Sequence, residues 1–405
     1  HTGPLDGITM TETRRSVSLL LNIGHALDHM FLLIFATAVT AMAAEFGRAS
    51  WEDLMPFSVG AFVMFGLGSL PSGRLGDLWG RRRMMLIFFI GIGLSSLLVA
   101  MTHGVWQLAC ALTLLGAFAS IYHPVGIPML VQNATKPGLT IGINGLAGNL
   151  GIAVAALITG FLVKYFGWRM AFIVPGVISL ACGLLFARWC PPETEAPAKR
   201  NNKASIVLPP AMMARVFAVM TATAVTGSLL FNLTTNGNAH LLRERFVGII
   251  EDPASLGALL AGVYAIASVT QVLVGRLIDR YPLRRLYLGI VVMMVPLFLL
   301  ASTASGWWLL VLQVAFMAVI FGAIPFTDAM IFRYVDDSLR SRVTGMRLAV
   351  GFGGSSLAVW ALGPAVKAAG FETLLLAMAA IAFVTVIAVW QLPAEPRPGA
   401  QPAPA

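Results

Sequence analysis

Four polar side chains fall at helical spacing inside one apolar stretch of this 405-residue chain: Asn22, His25, Asp28 and His29, in the run Asn22-Ile-Gly-His25-Ala-Leu-Asp28-His29. Intervals of three and four place them on one helix face. The stretch begins near Val17, so Asp28 lies about eleven residues, roughly 17 Å of helical rise, from its start. In a bilayer that is close to the midplane, where ionisable groups are costly and are functional candidates by default. A carboxylate flanked by imidazoles can exchange a proton, and two imidazoles one turn apart can hold a first-row metal ion. The competing reading is structural, with the histidines bonded across a buried helix contact and Asp28 holding one ring in orientation. Four polar groups on one face are expensive as glue, which favours function. His123, in Tyr122-His123-Pro124, lies at a depth similar to that of His25 in a later apolar stretch. Asp328 is the other acidic residue inside such a stretch, about a turn from its end, where it can snorkel. Asn232, Thr235, Asn236, Asn238 and His240 form a second polar helix face further along.

The elements that must position these groups are membrane helices. The chain is 58% hydrophobic and 11% charged, far more apolar than a soluble domain, and its mean hydropathy is +0.83. Taking roughly 20 apolar residues per span, spans are predicted at about Val17-Ala43, Leu54-Ser72, Met84-Met101, Val105-Val131, Leu139-Tyr165 and Met170-Cys190. Six more follow at about Ala211-Leu242, Pro253-Val274, Leu286-Thr303, Trp307-Phe332, Val343-Val366 and Glu372-Leu392. The expected fold is all-α, with twelve transmembrane helices in two pseudo-symmetric six-helix bundles, residues 17–190 and 211–392. Residues 191–210 read as a cytoplasmic linker. Residues 1–16 form an N-terminal tail, of which 1–9 precede a native-looking start at Met10, and the Pro/Ala-rich residues 393–405 are expected to be disordered.

A net charge of +9 suggests nucleic acid only if the basic residues share a soluble face, and here they sit in short turns between apolar runs. Nucleic-acid binding is rejected on that ground. With both termini and the Gly73 and Gly275 turns inside, 21 of the 27 Lys and Arg residues are cytoplasmic, as the positive-inside rule requires of a bacterial-type inner-membrane protein. Cys110, Cys182 and Cys190 show no metal-ligand spacing and read as packing residues. Gly353-Gly354 is followed by no Gly-Lys-Ser/Thr, so ATP-driven transport is excluded.

The apolar runs are punctuated by a repeated grammar. Gly73-Arg74-Leu75-Gly76-Asp77-Leu78-Trp79-Gly80-Arg81-Arg82-Arg83 reads as a polar hinge loop between two spans, and 202 positions later Gly275-Arg276-Leu277-Ile278-Asp279-Arg280 repeats its opening. This pattern resembles the signature loop of the major facilitator superfamily of secondary transporters, and the resemblance covers essentially the whole chain. It implies a conformational latch in which Asp77 faces the start of the eleventh helix, where amide dipoles favour an anion, with Gly73, Gly80, Arg81 and Arg82 completing it. Gly275, Arg276 and Asp279 would form the matching latch, weaker because Tyr281-Pro282-Leu283 replaces Trp79-Gly80-Arg81. The resemblance also places helices one, four, seven and ten around a central cavity, which would bring the polar faces together.

His25 and His123-Pro124 further resemble the fosmidomycin-resistance branch, exporters with a histidine early in helix one and His-Pro in helix four. That branch has His-x-x-Asn-Asp where this chain has His25-x-x-Asp28-His29, so substrate does not carry over. Leu112 stands where many proton antiporters carry arginine, and Ala155-Ala156 stands where their helix five has Gly-Pro, although Gly142, Gly145, Gly148, Gly151 and Gly160 keep the glycine rhythm. The chain is therefore read as a monomeric, cofactor-free secondary transporter and not an enzyme, exporting a small organic compound or drug by alternating access. Protons are the expected coupling ion, with Asn22, His25, Asp28, His29, His123, Asn232, Asn236 and Asp328 on the substrate and proton pathway. The alternatives are divalent-metal transport through His25, Asp28, His29 and His123, or proton-coupled uptake of a small organic anion.

Overall fold

The computed structural model describes residues 5–49, 51–132, 134–197, 209–251 and 253–393, and every regular element among them is helical. The long helices are α1 (Leu5–Ala43), α2 (Val59–Trp79), α3 (Arg81–Ala100), α4 (Val105–Val131), α5 (Pro137–Phe166), α6 (Trp168–Trp189), α7 (Pro210–Arg245), α8 (Pro253–Ile278), α9 (Leu283–Thr303) and α10 (Gly306–Tyr334). The last helical stretch, Arg340–Trp390, breaks at Gly370, where φ is 75°, giving α11 (340–369) and α12 (371–390). Among the described residues, ten segments are long and apolar enough by length and composition to cross a membrane. This is a multi-pass membrane protein.

The polar run at Gly73 departs from its sequence reading as a loop. Residues 73–79 are the closing turns of α2, and the chain turns only at Gly80, whose φ of 102° is left-handed territory open to glycine. Charged residues ordinarily leave a helix end for water. Here Asp77 and Arg81 find partners inside the protein, so the helix need not end early. α1 likewise starts well before Val17, and α4 contains an unforeseen π-helical turn at Tyr122–Gly126.

The chain forms two compact units. The first comprises His1–Asn133, Ala147–Asn201 and Asp337–Ala349, and the second Ala134–Leu146, Asn202–Asp336 and Val350–Ala405. In the first, α3 packs on α6 and α4 packs on α2. Phe88, Phe89, Phe172 and Phe186 are fully buried there, with Phe89 and Phe186 rings 5.6 Å apart. Hydroxyls join the α3–α6 contact in both directions: Ser96 Oγ donates to Phe172 O at 2.7 Å and Ser179 Oγ to Phe89 O at 2.8 Å. Where lipid removes the hydrophobic gain of helix association, dispersion and such bonds hold helices together. In the second unit α10 packs against α7, α8 and α9, and Tyr287 stacks on Phe326 at 4.4 Å. Residues 198–208 of the expected linker and 394–405 of the expected tail lie outside the described residues.

Candidate functional site

The polar stripe of α1 is built into the first unit's interior. Asp28 has no exposed surface and His25 is 5% exposed, while His29 and Asn22 are half-buried. His25 and His29, one turn apart, bring their Nε2 atoms to 3.0 Å. His123 arrives from the π-helical turn of α4, an irregularity that recurs at functional sites, and its ring centroid is 4.9 Å from His25 and 5.4 Å from His29. His123 Nε2 lies 3.5 Å from Asp28 Oδ2. Neither carboxylate oxygen of Asp28 accepts a hydrogen bond among the described residues. The structure thus gathers His25, Asp28, His29 and His123 in one place.

Residues that sequence reasoning missed hold this group in place. Tyr122 is fully buried, stacks on His25 at 4.8 Å and 15°, and donates its hydroxyl to Leu21 O at 2.7 Å. Gly148 of α5 faces the His25 ring so closely that a Cβ there would stand 2.7 Å from it. An aromatic beside His-Pro and a glycine on a later helix carry no local signal of such roles.

The other pathway candidates belong to the second unit. Asn232 donates to Ser228 O at 2.9 Å and to Ser355 Oγ at 2.8 Å, and the exposed Asn236 donates to Asn232 O at 2.9 Å. Asn238 reaches Tyr264 Oη at 3.4 Å. Asp328 is half-buried on α10. The side chain of His240 lies outside the described residues.

Both copies of the repeated motif grip a helix N-terminus. Asp77 Oδ2 accepts the amide of Arg342 at 3.0 Å, in the first turn of α11, and Oδ1 stands 3.7 Å from Arg81 Nη2. Arg81, fully buried, donates to Ser341 Oγ at 3.2 Å and to Pro128 O and Gln132 Oε1 at 3.3 Å. Gly73 lies flush against the Ser341 backbone, leaving no room for a Cβ. Arg82 donates to Cys190 O at 2.7 Å and Ala187 O at 3.0 Å, with its amide on Glu193. In the second unit Asp279 accepts the amides of Gly138 at 2.8 Å and Leu139 at 2.9 Å, at the start of α5, where Gly275 and Gly138 meet backbone to backbone. Arg276 and Arg280 line a cavity of about 520 Å³ there with Lys136 and Arg333. The second copy differs in the arginine: Leu283 stands where the first copy has Arg81, while Asp279 accepts two amides.

The chain thus joins a repeated aspartate on a helix N-terminus and a buried acid–imidazole group within an all-helical, multi-pass membrane architecture. The model of the Major Facilitator Superfamily matches residues 21–247 and 248–405, and the chain belongs to that superfamily. It is similar to the "Probable actinorhodin transporter" of Streptomyces coelicolor, 28% identical over 41% of this chain and 29% of that protein. It is also similar to the "Multidrug efflux pump LfrA" of Mycolicibacterium smegmatis, 29% identical over 53% of this chain and 43% of that one. The chain thus spans less than half the length of these two relatives. Its fold matches the solved proton:xylose symporter XylE with a TM-score of 0.75 at 13% identity, over 95% of this chain and 97% of that one.

Proposed function

We propose that this protein is a proton-coupled secondary transporter, not an enzyme, that exports a small organic compound across a bacterial-type inner membrane by alternating access. The observation that carries the coupling is Asp28, a carboxylate with no exposed surface and no hydrogen bond among the described residues, 3.5 Å from His123. An interior that hydrates charge poorly leaves such a carboxylate two stable arrangements: it carries a proton itself, or it faces a protonated imidazole. The two differ by one proton moved over a short gap. Water entering as the cavity opens to one side changes which arrangement is favoured, so a proton is taken up on one side and released on the other. His25 and His29 extend this exchange as neighbouring acceptors. Similarity to a probable actinorhodin transporter and a multidrug efflux pump supports export of a small organic compound. Residues 17–190 and 211–392 act as the two bundles, with the linker between them and both termini cytoplasmic, as the distribution of basic residues supports.

The test is transport of puromycin and methyl viologen, the compounds named in two similar resistance proteins, by protein reconstituted in vesicles. Asp28→Asn is expected to abolish accumulation driven by a pH gradient while binding of the compound persists. Normal gradient-driven transport by Asp28→Asn would place the coupling elsewhere, with Asp328 next to be tested. Loss of folding and binding together would mark Asp28 as structural.

A further inference from the structure

The geometry points to a divalent transition-metal site in which His25, His29 and His123 are the ligands and Asp28 is the carboxylate that orients His123. This inference rests on the arrangement of the imidazoles and stands whether or not Asp28 couples transport to protons.

Each of the three histidines offers a ligand nitrogen, and these atoms all lie within 4.8 Å of one another. Zinc–nitrogen bonds of 2.0–2.1 Å in a tetrahedron set imidazole nitrogens about 3.3 Å apart, so binding an ion requires the wider-set nitrogens to close in on the His25–His29 pair. The Nε2 atoms of His25 and His29 are already at 3.0 Å, a pair that shares either one proton or one ion. Spacing of four on α1 gives two ligands from one rigid helix, and the π-helical turn of α4 supplies the third.

The cage is backed on its far side. His25 lies on Tyr122, which is tied to Leu21, and Gly148 leaves space for the ring and for nothing larger. These contacts hold the His25 ring in place before an ion arrives. Asp28 stands outside the ligand group, 3.5 Å from His123 Nε2 and not hydrogen-bonded to it among the described residues; once an ion takes His123 Nδ1, the Nε2–H that faces Asp28 can close onto the carboxylate, the contact that sets a ligating histidine's orientation and basicity. The His123 side chain keeps 17% of its surface exposed, the side from which an ion would approach. Three neutral nitrogens suit Zn²⁺, Co²⁺, Ni²⁺ or Cu²⁺ and not Mg²⁺ or Ca²⁺, which require oxygen ligands.

The experiment uses the full chain in detergent, purified without a polyhistidine tag and stripped with EDTA. Co²⁺ reports geometry by its visible absorption, and Zn²⁺ reports affinity and stoichiometry by calorimetry. One ion per chain with an intense tetrahedral Co²⁺ band is expected. His29→Ala and His123→Ala should each abolish the band, Asp28→Asn should weaken Zn²⁺ binding about 10- to 100-fold, and His103→Ala, at an exposed position outside the cluster, should change nothing. His29→Gln is the milder replacement if either alanine variant fails to fold. No binding, a weak octahedral spectrum, or a band that survives both His29 and His123 replacement would overturn the site. Transport measured in EDTA separates the two readings. Gradient-driven transport without Co²⁺ binding overturns the metal site alone, and Co²⁺ binding with normal transport by Asp28→Asn overturns the coupling alone.

Discussion

Asp77→Asn removes charge from the first motif while leaving its size, so it isolates the electrostatic part of the hold on α11. Asp77 is 4% exposed, with one oxygen on the Arg342 amide at 3.0 Å and the other 3.7 Å from Arg81. Breaking a buried ion pair by removing one partner costs about 3–5 kcal/mol when the other is left uncompensated. Arg81, however, keeps Ser341, Pro128 and Gln132 as acceptors, and the asparagine oxygen still receives the Arg342 amide. The appropriate figure is nearer that of a hydrogen bond to a charged group, about 1.5–3 kcal/mol. At about 1.4 kcal/mol per factor of ten, local opening of residues 337–349 should rise roughly 10- to 100-fold.

Hydrogen exchange read by mass spectrometry measures that opening directly. Peptides covering residues 337–349 should exchange faster by this factor in Asp77→Asn, while peptides from α9, in the other unit, should match the parent protein. Adding Arg81→Gln should cost less than the sum of the single changes, because the two side chains share one interaction. Wild-type exchange at 337–349 would refute the electrostatic hold. Uniform loss of protection along the chain would refute its local character.

Gly148→Ala places a methyl 2.7 Å from the His25 ring. It should lower stability by about 1–3 kcal/mol, as overpacking does, and reduce gradient-driven transport in vesicles more than the same loss of stability introduced away from the site. Glu45, at the end of α1, is held below its usual carboxylate range by hydrogen bonds from Arg169 and Trp168. A folded-state value below the unfolded one contributes stability that is present above the ordinary carboxylate value and lost as pH falls through the depressed one. Glu45→Gln should therefore lower the thermal midpoint at pH 7, by no more than about 1 kcal/mol for so exposed a pair, and the difference should vanish in acid. A difference that persists in acid would assign the effect to packing.

The stripe on α1 was legible because periods of three and four are visible in a linear string, and His123 because depth can be counted from a span's end. Tyr122 was not: a buried tyrosine in an apolar helix looks like packing until its ring is found on His25. The π-helical turn leaves no compositional mark beyond Pro124, which also suits an ordinary kink. The misreading of Gly73–Trp79 as a loop has a clear cause. Charge density implies solvent when only neighbours in sequence are visible, and the groups that satisfy Asp77 and Arg81 lie at Pro128, Gln132, Ser341 and Arg342. The glycine rhythm of α5 was legible as close packing, but its partners were not. Gly142 and Gly145 meet Gln271 of α8 in one unit, whereas Gly148 and Gly151 meet His25 and Ala26 of α1 in the other.

The two motif copies reach the same end by different electrostatics. Each aspartate neutralises the exposed amides at a helix start, where the partial positive charge of the helix dipole is concentrated. Asp279 does so with two amides at 2.8 and 2.9 Å, and the position four residues on is a fully buried Leu283. Asp77 has the Arg342 amide together with a guanidinium that has no exposed surface. A buried arginine is a liability unless its charge is answered, so the first copy ties the aspartate, the arginine and the start of α11 into one arrangement in which loss of any member disturbs the others. In the second, Asp279 holds its two amides with no guanidinium four residues on. A repeat that doubled the chain need not have kept its halves equivalent, and here the asymmetry lies in Arg81 against Leu283, which makes residues 337–349 the segment more sensitive to loss of a single charge.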